Sequence, residues 1–322
     1  DEYDLMVIDY PHVGEVSAKG LLQKFDVDEY QSELNLLKEQ SVGLSHQSYN
    51  IDGHQWALAI DAATQVSCFR KDLISSLPQS WNEFSNLAQQ NKVLWPLKPV
   101  HAISSFYSIY NNITDEFNPK DKNFINKKFG IKTLEMMKHI TEHLISDCFI
   151  MDPIKTAEIL SSTDDFYYSP YTYGFSNYSR ENFRENILTY GNVMDLSNKG
   201  PKGTHLGGTG IAISNKSYHK DLALEYSYWI AGADCQKSIF YKSGGQPGNS
   251  IAWENQQIND ECNGFFTNTR LTLNQAWIRP RHNGYMKFQD ESGEIINEYL
   301  QSNTNEDIII DKLKIMYAES FE

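Results

Sequence analysis

In Thr204–Ser214, THLGGTGIAIS, a glycine-dense turn runs directly into a line of apolar residues. Gly207, Gly208 and Gly210 permit positive φ and let backbone approach a partner closely. Ile211, Ala212 and Ile213 read as a buried strand. Ser214-Asn215 ends it, and Ser217–Ala231 follows with helical character. A tight turn feeding a buried strand after a long excursion predicts re-entry. The chain leaves one lobe, builds another, returns here, and then ties the two together.

The totals are compatible with that reading. At 322 residues there is room for two domains or one large domain with insertions. A hydrophobic content of 40% with 13% aromatics supports real cores and argues against disorder. Against 28 basic residues stand 42 acidic ones, and the net charge of −14 argues against a nucleic-acid partner. No apolar run is long enough to span a bilayer, and the chain opens on DEYDLMVIDYP, a strand pattern without a signal segment before it. Upstream sequence is therefore expected to have been removed. The four cysteines, Cys68, Cys148, Cys235 and Cys262, match no metal spacing and read as buried thiols.

Leu5–Ile8 is a short apolar strand ending in Asp9-Tyr10-Pro11-His12, and in open α/β sheets ligands gather at that end of a strand. Asp26–Gln40 reads as an amphipathic helix and Trp56–Asp61 as a second strand ending in a carboxylate. Gln65–Leu73 is only semi-apolar. Ser80 and Glu83 form a capping box for the helix that follows. Val93–Pro99 reads as a strand stopped by two prolines, which places a first crossover there. Helices are expected at Val100–Tyr110 and Asn126–Ser146, then a strand at Phe166–Pro170 and an aromatic loop carrying Tyr171, Tyr173, Phe175 and Tyr178. Ser197–Gly203 is the second crossover. Leu222–Ile230 and Cys235–Tyr241 are returning helices, Gly244–Gly248 is a break, and two helices, Phe288–Leu300 and Glu306–Ala318, close the chain.

Several motifs lead nowhere. His139-Ile140-Thr141-Glu142-His143 has the H-x-x-E-H form of a zinc peptidase. Both histidines, however, point away from the apolar side of their helix, which makes them surface residues. The glycines of 203–210 fit no nucleotide-binding pattern. Asn112, Asn177 and Asn215 head sequons at a density that chance allows. The aromatic group of residues 167–178 is denser than core packing needs. Flat rings suit the C–H face of a pyranose, and Tyr adds a polar tip. Asp9 and Asp61, each at a strand end, would accept hydroxyl protons, although turn capping is the ordinary role of such residues. Arg279-Pro280-Arg281-His282 is a rigid cationic corner that either decorates the surface or clamps a ligand.

As a set, YDLMVIDYPHVG (3–14), GHQWALAIDAATQVSCFRKDLI (53–74), SWNEF (80–84), LWPLKPVHA (94–102), DDFYYSPYTYGFSNY (164–178), GTHLGGTGIAIS (203–214), GGQPG (244–248) and AWIRPRHNGYMKFQD (276–290) carry a family resemblance. The chain resembles the extracellular solute-binding proteins of ABC importers, in the carbohydrate-associated type II group. The resemblance implies an α/β, two-lobed type II periplasmic-binding-protein-like fold with hinge-connecting crossovers and a ligand gripped by hinge closure. The lobes are expected as 1–97 (lobe 1), 98–203 (lobe 2), 204–245 (return to lobe 1) and 246–322 (hinge and C-terminal helices of lobe 2). By the same likeness the cleft residues are Asp9, His12, Asp61, Gln65, Tyr168, Tyr171, His205, Gly207, Gly208, Gln246 and Arg279. Family members begin with a further strand–helix–strand unit that this sequence lacks. The implied partner is an ABC permease in the membrane, with no cofactor, a periplasmic or extracellular setting and a monomeric state.

Three functions are in contention at this stage. The first is a sugar-binding import receptor without catalysis. The second is an enzyme on the same scaffold, using Asp61 or Asp9 as base beside His12 or His205. The third is a receptor subunit that presents its ligand to a sensor. Lys98, Arg279 and Arg281 make an acidic sugar worth testing first.

Overall fold

The computed structural model describes residues 3–322. Its strands are Leu5–Asp9 (β1), Asn50–Ile51 (β2), His54–Gln55 (β3), Leu58–Ala59 (β4), Ala63–Phe69 (β5), Tyr168–Tyr173 (β6), Thr189–Gly191 (β7), Leu206–Gly207 (β8) and Thr209–Ile213 (β9). The helices are Val13–Ala18 (α1), Gln31–Glu39 (α2), Trp81–Gln89 (α3), Pro99–Ile113 (α4), Lys127–Thr141 (α5) and Pro153–Ser162 (α6). They continue with Lys220–Ala231 (α7), Ala233–Cys235 (α8), Ser250–Trp253 (α9), Gln256–Glu261 (α10), Phe265–Asn274 (α11), Tyr285–Leu300 (α12) and Glu306–Glu319 (α13).

The re-entry expected at Thr204–Ser214 is what organises the first sheet. β9 lies between β1 and β4 and runs antiparallel to both, with Leu5 opposite Ile213, Asp9 opposite Thr209 and Leu58 opposite Ile211. Strands from the two ends of a long excursion are thus locked by one late insertion. α7 packs on β9 and β4, and Leu58, Ile60, Ile211, Ile213 and Leu224 close the apolar core beneath it. A second sheet has the order β6-β5-β7, again antiparallel, with β8 paired to the start of β5. α4, α5, α12 and α13 pack together around Phe106, Leu134, Ile296 and Leu313. A third apolar cluster, with Tyr10, Val66, Leu206 and Phe265, lies between those two. Two sheets with separate cores, joined through a middle cluster, make a two-lobed α/β architecture.

Several local readings hold. The Ser80 side chain accepts from the Glu83 N–H, while the Glu83 carboxylate accepts from Gln79 N at 2.9 Å, one residue outside the reciprocal capping box. Others change. Of Trp56–Asp61 only Leu58–Ala59 is strand, and Asp61 makes an isolated antiparallel bridge to Pro247. The long strand is β5, which looked semi-apolar because Thr64, Gln65 and Ser67 interrupt it. All three are buried and paired: Thr64 to Thr204, Gln65 to Ser108 and Ser67 to the Pro170 carbonyl. Buried hydroxyls and amides with partners cost little, and they hide a strand from hydrophobic periodicity.

Val93–Pro99 is not a strand. Val93 bridges Tyr168 and Leu94 N donates to the Tyr168 carbonyl, but Pro96 and Pro99 offer no donors, and Pro99 instead opens α4. Tyr171 and Tyr173 lie in β6 rather than in a loop. β6 is an edge strand, and an irregularity opposite Val66–Cys68 accommodates Pro170. β5, well before residue 97, belongs to the second sheet.

Of the three glycines in the opening motif only Gly208 has positive φ, at 98°. Gly207 and Gly210 are small because rings press on them: a Cβ would fall 2.6 Å from Tyr173 Cε1 and 2.6 Å from Tyr49 Cζ, respectively. At Gly208 a Cβ would run into the Asp61 carbonyl. Gly208→Ala combines that collision with left-handed strain and should cost about 2 kcal/mol or more. Gly53→Ala, at φ 81° in open space, should cost about 1 kcal/mol. Urea unfolding of the two variants checks the difference, and equal losses would show that the approach to Asp61 is not tight.

Candidate functional site

Three chain segments lie side by side where the sheets meet: the start of β5, the stretch 204–207, and Trp277. Ala63 pairs with Gly207, Thr64 with Leu206, and His205 bridges Trp277 in parallel. Leu206 N donates to the Trp277 carbonyl at 2.8 Å, and Trp277 N donates to Thr204 at 3.1 Å. Thr64 Oγ1 donates to the His205 carbonyl at 2.9 Å or to Thr204 Oγ1 at 2.8 Å. Tyr10, fully buried just past β1, donates from its hydroxyl to the Leu206 carbonyl at 2.9 Å. That hydroxyl accepts from both N and Nε of Arg279, each at 3.0 Å. The guanidinium lies 5.0 Å from the Tyr10 ring centroid and donates to Gln289 Oε1 at 2.7 Å.

Around this crossing the polar groups divide by sheet. On the first-sheet side, Asp9 ends β1 and Asp61 follows β4. Asp61 N donates to the Thr209 carbonyl at 3.1 Å, which fixes the backbone beneath its carboxyl. Burial, and then the neighbouring Asp9 charge, push the Asp61 carboxyl up to about 7. Tyr49 holds this edge by donating to the Ile8 carbonyl at 3.1 Å.

On the second-sheet side Tyr173 of β6 stands between two imidazoles, His101 of α4 and His205, each with its ring centroid 6.2 Å from the Tyr173 ring. Burial keeps both imidazoles neutral. It draws His101 down to about 4, with Asp152 opposing and Lys98 adding to the fall. It holds His205 well below its ordinary value, with Arg279 and His101 adding to the effect. His205 Nε2 sits 3.4 Å from Ser104 Oγ, while Nδ1 of His205 and Nδ1 of His101 have no hydrogen-bond partner among the described residues. Two carboxyl groups, two uncharged imidazoles and a tyrosine ring thus come together at the crossing, with His205 enclosed at 1% exposure.

The residues anticipated from sequence fall into three groups. Asp9, Asp61, His205, Gly207, Gly208 and Arg279 gather at the crossing. Gln246 sits at its margin, with its carboxamide bonded to the Ala62 carbonyl and the Ser176 N–H. His12 is exposed on the turn after Tyr10. Gln65, Tyr168 and Tyr171 are buried on the α4 side. Gln65 accepts from Ser108, Tyr168 shares a hydrogen bond with Ser67, and Tyr171 packs 5.9 Å from Trp95.

Tyr10, Tyr49, His101 and Tyr173 were not among the expected site residues. Tyr10 could have been noticed beside Asp9 and before Pro11, and Tyr173 within the aromatic run. His101 and Tyr49 carry no local signal. Arg281 is held by the carbonyls of Ser48 at 2.7 Å and Asn50 at 3.0 Å. His139 shares a hydrogen bond with Ser85 at 3.2 Å. Among the described residues no group of His, Cys, Asp or Glu could hold a metal, and no helix is long and apolar enough to cross a membrane.

No protein-family model matches this sequence, and no curated protein matches it. Solved structures do match. A solute-binding protein of an ABC transporter from Agrobacterium radiobacter K84, in complex with ribitol, superposes with a TM-score of 0.82 at 18% identity, covering 99% of this chain and 85% of that one. The maltose-bound MalE3 of T. maritima gives 0.81 at 13% identity, covering 98% and 84%. UgpB of Mycobacterium tuberculosis, in complex with glycerophosphocholine, gives 0.77 at 11% identity, covering 99% and 84%. At these identities it is the two-lobed fold that is shared.

The raised Asp61 carboxyl has a measurable consequence. Its folded value of about 7 lies above the ordinary aspartate value of 3.8, so the folded chain holds this proton where the unfolded chain has lost it. Its contribution to stability therefore falls as pH rises from about 4 to about 7 and is level above that. Asp61→Asn should gain stability relative to the parent at pH 8 and show a smaller gain at pH 5, read by urea unfolding. An equal difference at the two pH values would mean Asp61 titrates normally.

Proposed function

We propose that this chain is a solute-binding protein of an ABC importer, capturing a carbohydrate or related polyol between its lobes and delivering it unchanged to a membrane permease outside the cytoplasm. One observation carries the reading. Asp9 and Asp61, which pair with no cation among the described residues, share the lobe junction with Tyr173 and two neutral imidazoles, each with a nitrogen unused among those residues. Hydroxyl donors on a ligand would satisfy the carboxylates, and its ring hydroxyls would engage His101 and His205. Tyr173 would cover an apolar C–H face. Maltose, ribitol and glycerophosphocholine, carried by the similar structures, are reasonable first probes.

The lobes in this reading exchange chain at residues 62–63, 204–208 and 277–279, so that each passes three strands through the hinge. Of the expected cleft residues, Asp9, Asp61, His205, Gly207 and Gly208 would face the ligand, joined by His101 and Tyr173. Two of the three cations that made an acidic sugar worth testing, Arg279 and Arg281, are committed elsewhere. Arg281 is occupied by backbone carbonyls and Arg279 by Tyr10 and Gln289, while the open groups are carboxylates. A carboxyl near 7 is also where a catalytic reading would begin, but the influences acting on Asp61 are burial and another carboxylate, not an imidazole partner.

Calorimetry against maltose, ribitol, glycerophosphocholine and a panel of other neutral and acidic saccharides tests the proposal. At least one neutral polyol should bind, and Tyr173→Ala should weaken it by roughly tenfold, the scale of one lost aromatic contact. Heat from none of the panel would count against the reading, and turnover of a saccharide abolished in Asp61→Asn would replace it with catalysis.

A further inference from the structure

The Gln246 carboxamide uses both of its ends at the junction. Its Nε2 donates to the Ala62 carbonyl at 3.0 Å, immediately before β5 enters the second sheet. Its Oε1 accepts from Ser176 N at 3.1 Å, in the turn that leaves β6. Neighbouring bonds run from the turn after β6 to the chain leading into Gln246: Asn177 Nδ2 donates to the Gly244 carbonyl at 3.2 Å, and Arg180 Nη2 donates to the Tyr241 carbonyl at 2.9 Å. The Arg180 guanidinium also lies over the Tyr241 ring at 4.1 Å. The loop that carries Gln246 is in turn pinned beneath Asp61, through the bridge between Asp61 and Pro247 and the bond from Gly248 N to the Ile60 carbonyl at 3.1 Å.

We propose that Gln246 is a positioning residue rather than a ligand contact: its side chain ties the loop pinned beneath Asp61 to the turn after β6 and so fixes how the two lobes sit against each other. The inference rests on the two-lobed clamp described above. Both ends of the amide are used by the protein, so its hydrogen-bonding capacity is largely committed before a ligand arrives. A tie of this kind acts by raising the population of the binding-competent state, and losing it lowers apparent affinity by the fraction of closed molecules lost.

The test reads lobe separation in the ligand-free, full chain by pulsed electron-spin distance measurement. Labels are placed at Tyr218→Cys, before α7, and Ile154→Cys, in α6, positions 96% and 52% exposed. The four native cysteines are buried and stay unlabelled. Gln246→Ala should move the distribution to longer, broader distances. Gln246→Glu keeps the acceptor for Ser176 N but sets an oxygen against the Ala62 carbonyl, and should move it at least as far. Asn177→Ala, which removes a parallel tie, should shift it in the same direction and serves if either glutamine variant fails to fold. Circular dichroism confirms folding in each case.

Folded variants with the parent distance distribution would overturn the proposal. Because no saccharide is present, this result is independent of whether one binds. Failure of every saccharide in calorimetry would instead strike the function while leaving the tie intact.

Discussion

The hydroxyl of Tyr10 is the atom on which this structure turns. It donates to the Leu206 carbonyl and accepts twice from Arg279, so one buried oxygen joins the end of β1, the returning strand β8 and the last passage of the chain. A buried hydroxyl left unpaired is costly, so these three segments are held in one arrangement. Thr64, Thr204 and Trp277 extend the same network across the junction. The network also explains how Arg279 can be buried at 9% exposure without a carboxylate: a phenol, a ring face and the Gln289 carboxamide take its place.

That fixed frame lets the two sides of the junction carry different chemistry. The first sheet presents carboxylates and the second presents an aromatic ring between uncharged imidazoles. Burial acts on both in the direction of neutrality, raising Asp61 towards 7 and lowering His101 and His205. A junction kept close to neutral can meet an uncharged, hydroxyl-rich molecule without stranding a charge.

The broad architecture was readable because THLGGTGIAIS combines a required glycine with a buried strand, and the structure places that strand between β1 and β4. Asp9 and Asp61 were readable as polar residues at the ends of apolar runs. β5 was not, since its buried Thr64, Gln65 and Ser67 look like surface positions until their distant partners are known. The aromatic run was read as a single group, yet packing separates Tyr168 and Tyr171, enclosed in a core, from the partly exposed Tyr173 at the junction. His101 was invisible because only the packing of α4 against β6 brings it to Tyr173, and no local pattern encodes that contact. Arg281 read in sequence either as surface decoration or as a ligand clamp, and it is a backbone tie to residues 48–50.

The account makes capture without chemistry its central claim. Native mass spectrometry of the intact chain incubated with a mixture of maltose, ribitol and longer neutral saccharides tests it most directly, followed by release and analysis of whatever is bound. The account predicts a one-to-one complex from which the saccharide is recovered with every bond intact. A complex that releases cleaved or oxidised sugar, or a protein that retains none of the mixture, would contradict it.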